Sequence, residues 1–311
     1  MDLQQLRYVV EVASSASFTR AAERCFVTQS ALSHQIAALE RELGQRLFVR
    51  SSRSVRTTEA GEAFLVHANR AVRAAHDARD AAAATAGRVV GTLHLGVIPT
   101  GSAVPVPQAI ARFRAAHPDA AVELTVGNSD TLVEAVRRGD LDVALLGLRE
   151  GVEPRSVAFR ALARERLVVA ASPAHRISGH VGVSLADLAD EVFADFPAGT
   201  PGRAQADAAF AAAGITRDVP FQADSSELIL GLVSQGLAIS LLAPGVIATS
   251  SFDVAAVDLV DGPVRVQYVA WDDRAPRNVT SAFLRVVESM TSRRNDEAGP
   301  EESSGPAHSG I

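Results

Sequence analysis

The sequence predicts an all-α amino-terminal domain with a β wing, then one long helix, then a two-lobed α/β domain. Three observations support this fold class. Closely spaced amphipathic helices precede residue 45, an Ala-rich stretch without proline follows Thr58, and strand and helix signals alternate from Arg88 onward. We expect boundaries at 1–58 for the first domain, 59–87 for the long helix and 88–292 for the α/β domain, with a disordered tail at 293–311.

The first three predicted helices form a compact group. In the first helix, apolar residues recur at three-four-three spacing: Leu3, Leu6, Val10 and Ala13. A short helix from Phe18 to about Arg24 follows, and a tight link joins it to a helix that begins after the N-cap residue Thr28. Two helices joined in this way are typical of a helix-turn-helix, whose second helix enters the major groove of DNA.

The helix after Thr28 has two contrasting faces. One face is an apolar stripe made of Leu32, Ile36, Leu39 and Leu43. The opposite face carries Ser30, Ser33, His34, Ala37 and Arg41. Small side chains leave room for close approach to a groove, and uncharged hydrogen-bonding groups can contact base edges. The alternative is an ordinary solvated helix face, and the neighbouring segments favour DNA.

A basic β wing follows. The segment "RLFVRSSRSVRTT" has strand-like residues on both sides of Ser51 and Ser52 and contains no acid. Its cationic side chains suit phosphate contacts, which supply most non-specific DNA affinity. They are Arg46, Arg50, Arg53 and Arg56.

About the first 65 residues resemble, without a gap, the amino-terminal domain of the bacterial LysR-type transcriptional regulators. The Ala21-Ala22 pair, "TQSALSHQI", "LE..LG..LF.R" and "TEAG" all stand in register. Cys25 replaces the usual Leu, and Ser30 stands where Pro is frequent, but neither threatens the fold because Cys packs as a small hydrophobe. The resemblance implies that DNA is contacted by Gln29, Ser30, Ser33, His34 and Gln35 of the helix and by Arg50, Arg53 and Arg56 of the wing. We add Thr28, at the start of the helix, to the candidate DNA-binding residues.

The charge and the cysteine content of the chain argue against several other classes of protein. The formal net charge of −6 argues against a protein that coats nucleic acid, yet residues 1–60 hold eight Arg against six acids. A single Cys excludes an intrachain disulfide framework and fits a reducing cytoplasm. The sequence has neither a long apolar run nor an opening signal segment, so we expect a cytoplasmic protein with no membrane partner.

The long helix predicted at 59–87 has its own apolar stripe, with Thr58 as its cap and Gly87 as its end. The spacing of three and four is that of a two-stranded seam, so we expect the helix to pair with its copy in a second chain. The alternative is a lone solvated helix. The stripe consists of Leu65, Ala68, Val72, Ala75, Arg79 and Ala82.

From Arg88 the pattern predicts a βαβαβ unit, and a second set of elements follows from "RLVVAAS" to "AISLL". "VRVQYVAW" is then a strand that returns to the first sheet, and a last helix runs from about Pro276 to Thr291. Two such lobes make a clamshell of the type 2 periplasmic-binding-protein-like kind. We place lobe I at about 88–161 and 267–292, and lobe II at about 162–266.

A ligand of this fold should lie at the carboxyl ends of the strands, between the lobes. Hydroxyl groups and helix starts recur at those ends and favour an anion, most simply a carboxylate. For each hydroxyl alone, an ordinary helix cap is the alternative. The candidate effector-binding residues are Thr100, Gly101, Ser102, Asn128, Ser129, Phe196, Thr200, Arg203 and Ser225.

The sequence offers no catalytic, metal or cofactor motif: it has no HExxH pair, no GxxxxGK[ST] and no GxSxG. We therefore expect a sequence-specific transcriptional regulator, not an enzyme, that binds a palindrome-like operator and a small-molecule effector. The family resemblance implies a homotetramer, and RNA polymerase is a further candidate partner. The alternatives are a cytoplasmic solute-binding module whose first domain makes protein contacts, and a divergent enzyme.

Overall fold

The computed structural model describes residues 1–50, 55–84, 88–273 and 277–297. It begins with three helices, α1 (Leu3–Ser15), α2 (Phe18–Arg24) and α3 (Gln29–Leu43). The Thr28 hydroxyl accepts from the Ala31 N–H and caps α3, and Gly44, at φ +65°, ends it in the left-handed region. The predicted helix-turn-helix is therefore confirmed.

Each helix of this domain buries the side chains of one face in a shared core. Leu32, Ile36 and Leu39 of α3 are fully buried, as the apolar stripe predicted, whereas its fourth member, Leu43 in the last turn, is 37% exposed. In α1 the buried face differs from the prediction, because Leu3 is 48% exposed whereas Val9 and Val12 are fully buried. Leu6 belongs to both possible stripes, and packing against α2 and α3 decides between them.

The wing consists of two short antiparallel strands, β1 (Phe48–Arg50) and β2 (Val55–Thr57). Val49 lies opposite Arg56, and Phe48 packs edge-to-face on Phe18 of α2. The tip of the wing, which includes Arg53, lies outside the described residues. The wing strands are thus anchored to the helical core.

The linker helix is α4 (Glu59–Ala84), which begins as predicted at Thr58, whose hydroxyl accepts from the Gly61 N–H at 2.9 Å. The predicted end at Gly87 lies outside the described residues. The seam prediction needs a correction at its start, because Leu65 and Ala68 are buried within this chain, where α4 packs against α1. Those two side chains are covered already and cannot belong to a seam between two chains.

A five-stranded sheet forms the first lobe, and its strands lie in the order β4 (Ala120–Val126), β3 (Gly91–Val97), β5 (Val143–Arg149), β12 (Val264–Trp271) and β6 (Ala158–Arg166). Strands β3, β4 and β5 are parallel, and β12 returns to this sheet, as predicted, where it pairs antiparallel with β5. The sheet packs against α5 (Val106–Ala116) and α10 (Asn278–Glu297) in one apolar cluster and against α6 (Ser129–Arg138) in another.

The sixth strand shows that lobe I extends further along the chain than predicted. Strand β6 (Ala158–Arg166) pairs antiparallel with β12 along its whole length, so the first sheet continues beyond residue 161. The returning strand covers the predicted segment "VRVQYVAW", Val264–Trp271, so lobe I resumes at Val264 and not at the predicted boundary of 267. The chain therefore crosses between the lobes at about residues 167 and 263.

The second lobe contains two small sheets. Strand β7 (Val168–Ala171) lies between β10 (Ser240–Leu242) and β11 (Ala255–Val257), and β8 (Val192–Asp195) runs parallel to β9 (Asp218–Gln222). A turn of 3₁₀ helix at Ala186–Leu188 precedes β8. Three helices complete the lobe: α7 (Pro201–Ala212), α8 (Ser226–Ser234) and α9 (Pro244–Ala248). Among the helices described, none is both long enough and apolar enough to cross a bilayer.

Candidate DNA-binding surface and interlobe cavity

The outward face of α3 is polar. Thr28, Gln29 and Ser30 are exposed at its start, and His34 is exposed one turn later, whereas Ser33 is half-buried. Because Leu32 and Ile36 hold the other side of the helix in the core, this face is fixed in position. It presents short donors and acceptors to whatever approaches it.

Some of the predicted DNA-contacting residues, among them Thr28, Ser30 and Gln35, have partners within the domain. The Thr28 hydroxyl serves as the helix cap and lies 3.2 Å from the Ser30 hydroxyl. Gln35 is exposed, but its Oε1 accepts from Gln5 Nε2 of α1 at 3.2 Å. Gln35 therefore holds α3 against α1 as well as facing outward.

The wing adds positive charge beside this face. Arg56 is exposed on β2. The backbone of Arg50 lies in β1, but its side chain is outside the description, as is the whole of Arg53. Arg46 is exposed just before the wing.

Cys25 lies at the end of α2 and is buried in the core of the same domain. Burial raises the pKa of its thiol, and Glu11 adds to the effect while Arg7 opposes it. A thiol that resists ionisation is a poor nucleophile. Cys25 is therefore a packing residue here.

A cavity of about 390 Å³ lies between the two lobes. It lies at the carboxyl ends of β3, β4 and β8 and at the starts of α6 and α7, where the sequence placed a ligand. Its lining residues are Ile98, Pro99, Thr100, Val126, Gly127, Asn128, Ser129, Thr131, Gly147, Phe196, Thr200, Pro201, Gly202, Gln205, Asp224 and Arg265.

The cavity brings together five of the predicted residues: Thr100, Asn128, Ser129, Phe196 and Thr200. The other four, which are Gly101, Ser102, Arg203 and Ser225, do not line it. Gly101 is exposed, and Ser225 accepts from the Leu228 N–H as the cap of α8.

Ser102 and Arg203 do not line the cavity because their side chains bind other residues of the protein. Ser102 Oγ accepts from Gln267 Nε2 at 2.6 Å and donates to Glu165 Oε2 at 3.2 Å. Arg203 Nε donates to Asp207 Oδ1 at 2.9 Å, one turn along α7, and lies 3.9 Å from Asp195 Oδ2, so its guanidinium is engaged by carboxylates of lobe II. The proposed guanidinium of the site is therefore not Arg203.

The guanidinium that lines the cavity belongs to Arg265 of β12. Its Nη1 donates to Thr100 Oγ1 at 2.7 Å, and its Nε and Nη2 donate to Glu165 Oε1 at 3.1 and 2.9 Å. Burial lowers the pKa of Arg265, and the Glu165 carboxylate counteracts this effect. The sequence analysis missed Arg265, although its alternation with Gln267 in "VRVQYVAW" is a signal that polar side chains share one face of this strand.

Several lining hydroxyls and amides are already used by the fold. Ser129 Oγ donates to Gly147 O at 3.0 Å and accepts from Gly147 N, which fastens the start of α6 to β5. Thr200 Oγ1 donates to Pro197 O and accepts from Arg203 N as the cap of α7. What these residues offer to a ligand is mainly the positive end of a helix.

The two lobes also touch directly. Ser226 Oγ of lobe II donates to Pro99 O at 3.0 Å, and Gln205 Nε2 donates to Val264 O at 2.8 Å. Gly245 permits a further close approach, because a Cβ at this position would lie 2.6 Å from Ser102 Cβ. The cavity is therefore flanked by contacts that hold the lobes together.

A winged helix-turn-helix joined by a linker helix to a two-lobed domain with a cavity defines the class of ligand-responsive DNA-binding regulators. Family models support this assignment along nearly the whole chain. The bacterial regulatory helix-turn-helix protein, lysR family, matches residues 3–62, and the LysR substrate binding domain matches residues 86–291. The chain belongs to the LysR family of transcriptional regulators.

Curated relatives agree with this assignment. The chain is 34% identical over 292 residues to the HTH-type transcriptional regulator ShiR of Corynebacterium glutamicum (strain R), covering 92% of this chain and 98% of ShiR. It is 32% identical over 293 residues to the HTH-type transcriptional regulator IlvR of Caulobacter vibrioides, covering 92% and 97%. These relatives are named regulators and not enzymes, which confirms the non-enzymatic prediction.

Solved structures show the same architecture. CbnR in complex with its target DNA aligns with a TM-score of 0.64 at 26% identity, covering 93% of this chain and all (100%) of CbnR. A full-length OxyR variant from Pseudomonas aeruginosa aligns with a TM-score of 0.72 at 24% identity and 94% coverage of both chains. The second similarity shows the fold alone.

Proposed function

We propose that this regulator binds a palindrome-like operator through α3 and the wing, and that an anionic effector, most simply a carboxylate, binds in the cavity and controls it. The observation that carries the effector proposal is the hydroxyl of Thr100. This residue is 8% exposed, and its oxygen accepts from Arg265 Nη1. Its proton has no acceptor within the described part of the chain, so it can be donated to an anion in the cavity.

Two helix starts reinforce that preference. The first turns of α6 and α7 face the cavity from opposite lobes, at Ser129 and at Gly202. Each helix start carries a partial positive charge and unpaired N–H groups, which favour an anion. Anion binding would thus involve both lobes at once and would hold them together.

The effector proposal is tested by a thermal-shift screen of the full chain with small carboxylates. A ligand that binds only the folded state raises the melting temperature, and the rise increases with the ratio of ligand concentration to Kd. We expect at least one carboxylate to raise it, and Thr100→Val to remove the shift. The conservative variant Thr100→Ser keeps the hydroxyl and should retain the shift, which distinguishes a lost hydrogen bond from a damaged lobe. Failure of every carboxylate would argue against an anion site.

The DNA-binding proposal rests on the exposed polar side chains of α3 and on the cationic wing. A salt titration of operator binding tests it. We expect log affinity to fall linearly with log salt, with a slope near −0.9 for each phosphate neutralised. A flat response would favour an amino-terminal domain that contacts proteins instead.

We propose further that the chain acts as a homodimer or homotetramer in the cytoplasm, with RNA polymerase as a partner at the promoter. Val72 and Ala75 of α4 are half-buried and follow the part of the stripe that α1 covers, so a seam would lie along the later turns. Analytical ultracentrifugation of the full chain measures the assembly directly, and a monomer at micromolar concentration would contradict this proposal.

A further inference from the structure

The formal charges around the cavity indicate a cationic group on the effector in addition to the proposed carboxylate. Of the lining residues described, Arg265 and Asp224 carry formal charges. Arg265 is already paired with Glu165, at 2.9 Å between Nη2 and Oε1, so these two charges cancel. The remaining formal charge is the negative charge of Asp224.

Asp224 is exposed in the loop before α8, just ahead of the cap residue Ser225. Its carboxylate has neither a hydrogen bond nor an ion pair with any residue that the structure describes, although it lines the cavity. An acid at a helix start also interacts favourably with the helix dipole, which is the structural explanation for its position. A carboxylate that lines a cavity without a partner is in addition suited to bind a cation.

Other residues of the same lining favour a negative charge. The Thr100 proton and the starts of α6 and α7 favour a carboxylate, as argued above. A dicarboxylate would place its second charge in the field of Asp224, whereas an amine alone would leave the Thr100 proton without an acceptor. Ile98, Val126 and Phe196 add apolar surface to the same lining.

We propose that the effector is a zwitterion, an amino acid whose carboxylate binds Thr100 and the helix starts and whose ammonium group binds Asp224. This inference rests on the proposed anionic effector and adds the cationic group. The apolar side of the cavity, at Phe196, receives the side chain or methylene segment of the amino acid. Asp224 therefore determines specificity for the amine, and Thr100 for the carboxylate.

The test is calorimetric titration of the full chain with matched probes. The probes are the common L-amino acids, β-alanine, 4-aminobutanoate and 5-aminopentanoate, each compared with the acid that lacks its amino group. We expect at least one amino acid to bind, and its deaminated acid to bind at least about tenfold more weakly, because a hydrogen bond to a charged group is lost.

Two charge-matched variants make the test specific. Asp224→Asn should weaken binding of the amino acid at least about tenfold and leave the deaminated acid unaffected or slightly tighter. Asp218→Asn removes the same charge from the far end of β9, where Asp218 is exposed and does not line the cavity, and should change neither affinity. Unliganded melting temperatures of both variants show whether the fold is preserved.

The outcomes separate this inference from the broader proposal. Equal affinity for an amino acid and its deaminated acid, or an unchanged ratio in Asp224→Asn, would overturn the zwitterion and leave the anionic effector in place. Binding of simple carboxylates with no binding of any amino acid would have the same meaning. If neither kind of probe binds, both proposals fail together.

Discussion

Arg73 of the linker helix donates from Nη1 to Oδ1 of Asp142 at 3.0 Å, and the side chain of Asp142 is only 2% exposed. Asp142 lies just before β5 in the first lobe, and its Oδ2 accepts from the backbone N–H of His94 at 2.8 Å. Arg277, just before α10, approaches the same oxygen at 3.3 Å. One buried carboxylate thus joins the linker helix to strand β3 and to the segment just before α10 of the effector domain.

Breaking this contact should loosen the linker helix from the lobe. In Arg73→Gln the Asp142 carboxylate keeps Arg277 and the His94 N–H, so the charge is not left without partners. We expect a loss of about 1.5–3 kcal/mol in the free energy of unfolding, the usual range for a hydrogen bond to a charged group. Urea denaturation of the full chain measures it.

The matched control is Arg88→Gln. Arg88 also forms an arginine–aspartate pair, with Asp119 at 2.8 Å, but both side chains are largely exposed at 60% and 49%. Solvent and salt screen such a pair, so its loss should cost at most about 1 kcal/mol. Equal losses in the two variants would show that the Arg73 contact has no special role.

The histidine beside this contact should make the fold sensitive to acid. Burial lowers the pKa of His94 below its ordinary 6.5, and Arg73 and Arg277 act in the same direction, while Asp142 and Glu123 oppose them. The unfolded chain therefore takes up this proton at a higher pH than the folded chain. Stability contributed by neutral His94 is present above the ordinary pKa and declines as the pH falls below it.

We accordingly expect the parent protein to lose more stability than His94→Gln between about pH 7.5 and about pH 5.5, a range that brackets the ordinary histidine pKa. Urea midpoints at both pH values give the comparison. If both proteins lose the same stability, the protonation of His94 does not differ between the folded and unfolded states.

The glycine of the "TEAG" motif should resist replacement by alanine. Gly61 lies in the first turns of α4, and a Cβ there would overlap the backbone carbonyl oxygen of Leu47. Alanine ordinarily stabilises a helix by about 1 kcal/mol relative to glycine, but this clash with backbone should reverse the sign. We expect Gly61→Ala to lose about 1–3 kcal/mol in thermal or urea unfolding.

Gly231→Ala in α8 is the control for that substitution. Its Cβ would lie 3.4 Å from Phe252 Cζ, an ordinary contact with a side chain. Helix propensity should then dominate, and the variant should be neutral or more stable by up to about 1 kcal/mol. A stable Gly61→Ala would mean that the linker helix and the segment before β1 can move apart without cost.

Variants that lose a base contact and variants that lose a phosphate contact should differ in how their DNA affinity depends on sequence. Gln29→Ala should cost about 1–3 kcal/mol on the operator and little on unrelated DNA, because it removes a contact to a base edge. Arg56→Ala should weaken binding to every sequence and reduce the salt slope by about one phosphate. Fluorescence anisotropy with operator and scrambled duplexes distinguishes the two, and a uniform loss in Gln29→Ala would refute its base-contacting role.

The sequence predicted the parts of the molecule whose pattern is local. The buried stripe of α3 and the cap at Thr28 follow from a helical repeat within fifteen residues. Strand β6 was not predicted, because its sequence "AFRALARER" is exposed at several positions and contains no apolar run. The position of Arg265 in the cavity lining was not predicted, because its partner Thr100 lies 165 residues earlier in the chain. A contact over that distance leaves no pattern in the local sequence.

Helix α6 extends from the cavity to the linker helix. Ser129, at its first turn, lines the cavity, and the carbonyl oxygen of Arg137, near its last residue, accepts from Arg70 Nη2 of α4 at 3.1 Å. Ten residues of helix span about 15 Å. If a bound molecule displaced the first turn of this helix, the rigid helix would shift the support of the linker helix at its other end, a direct connection between the cavity and the DNA-binding domain.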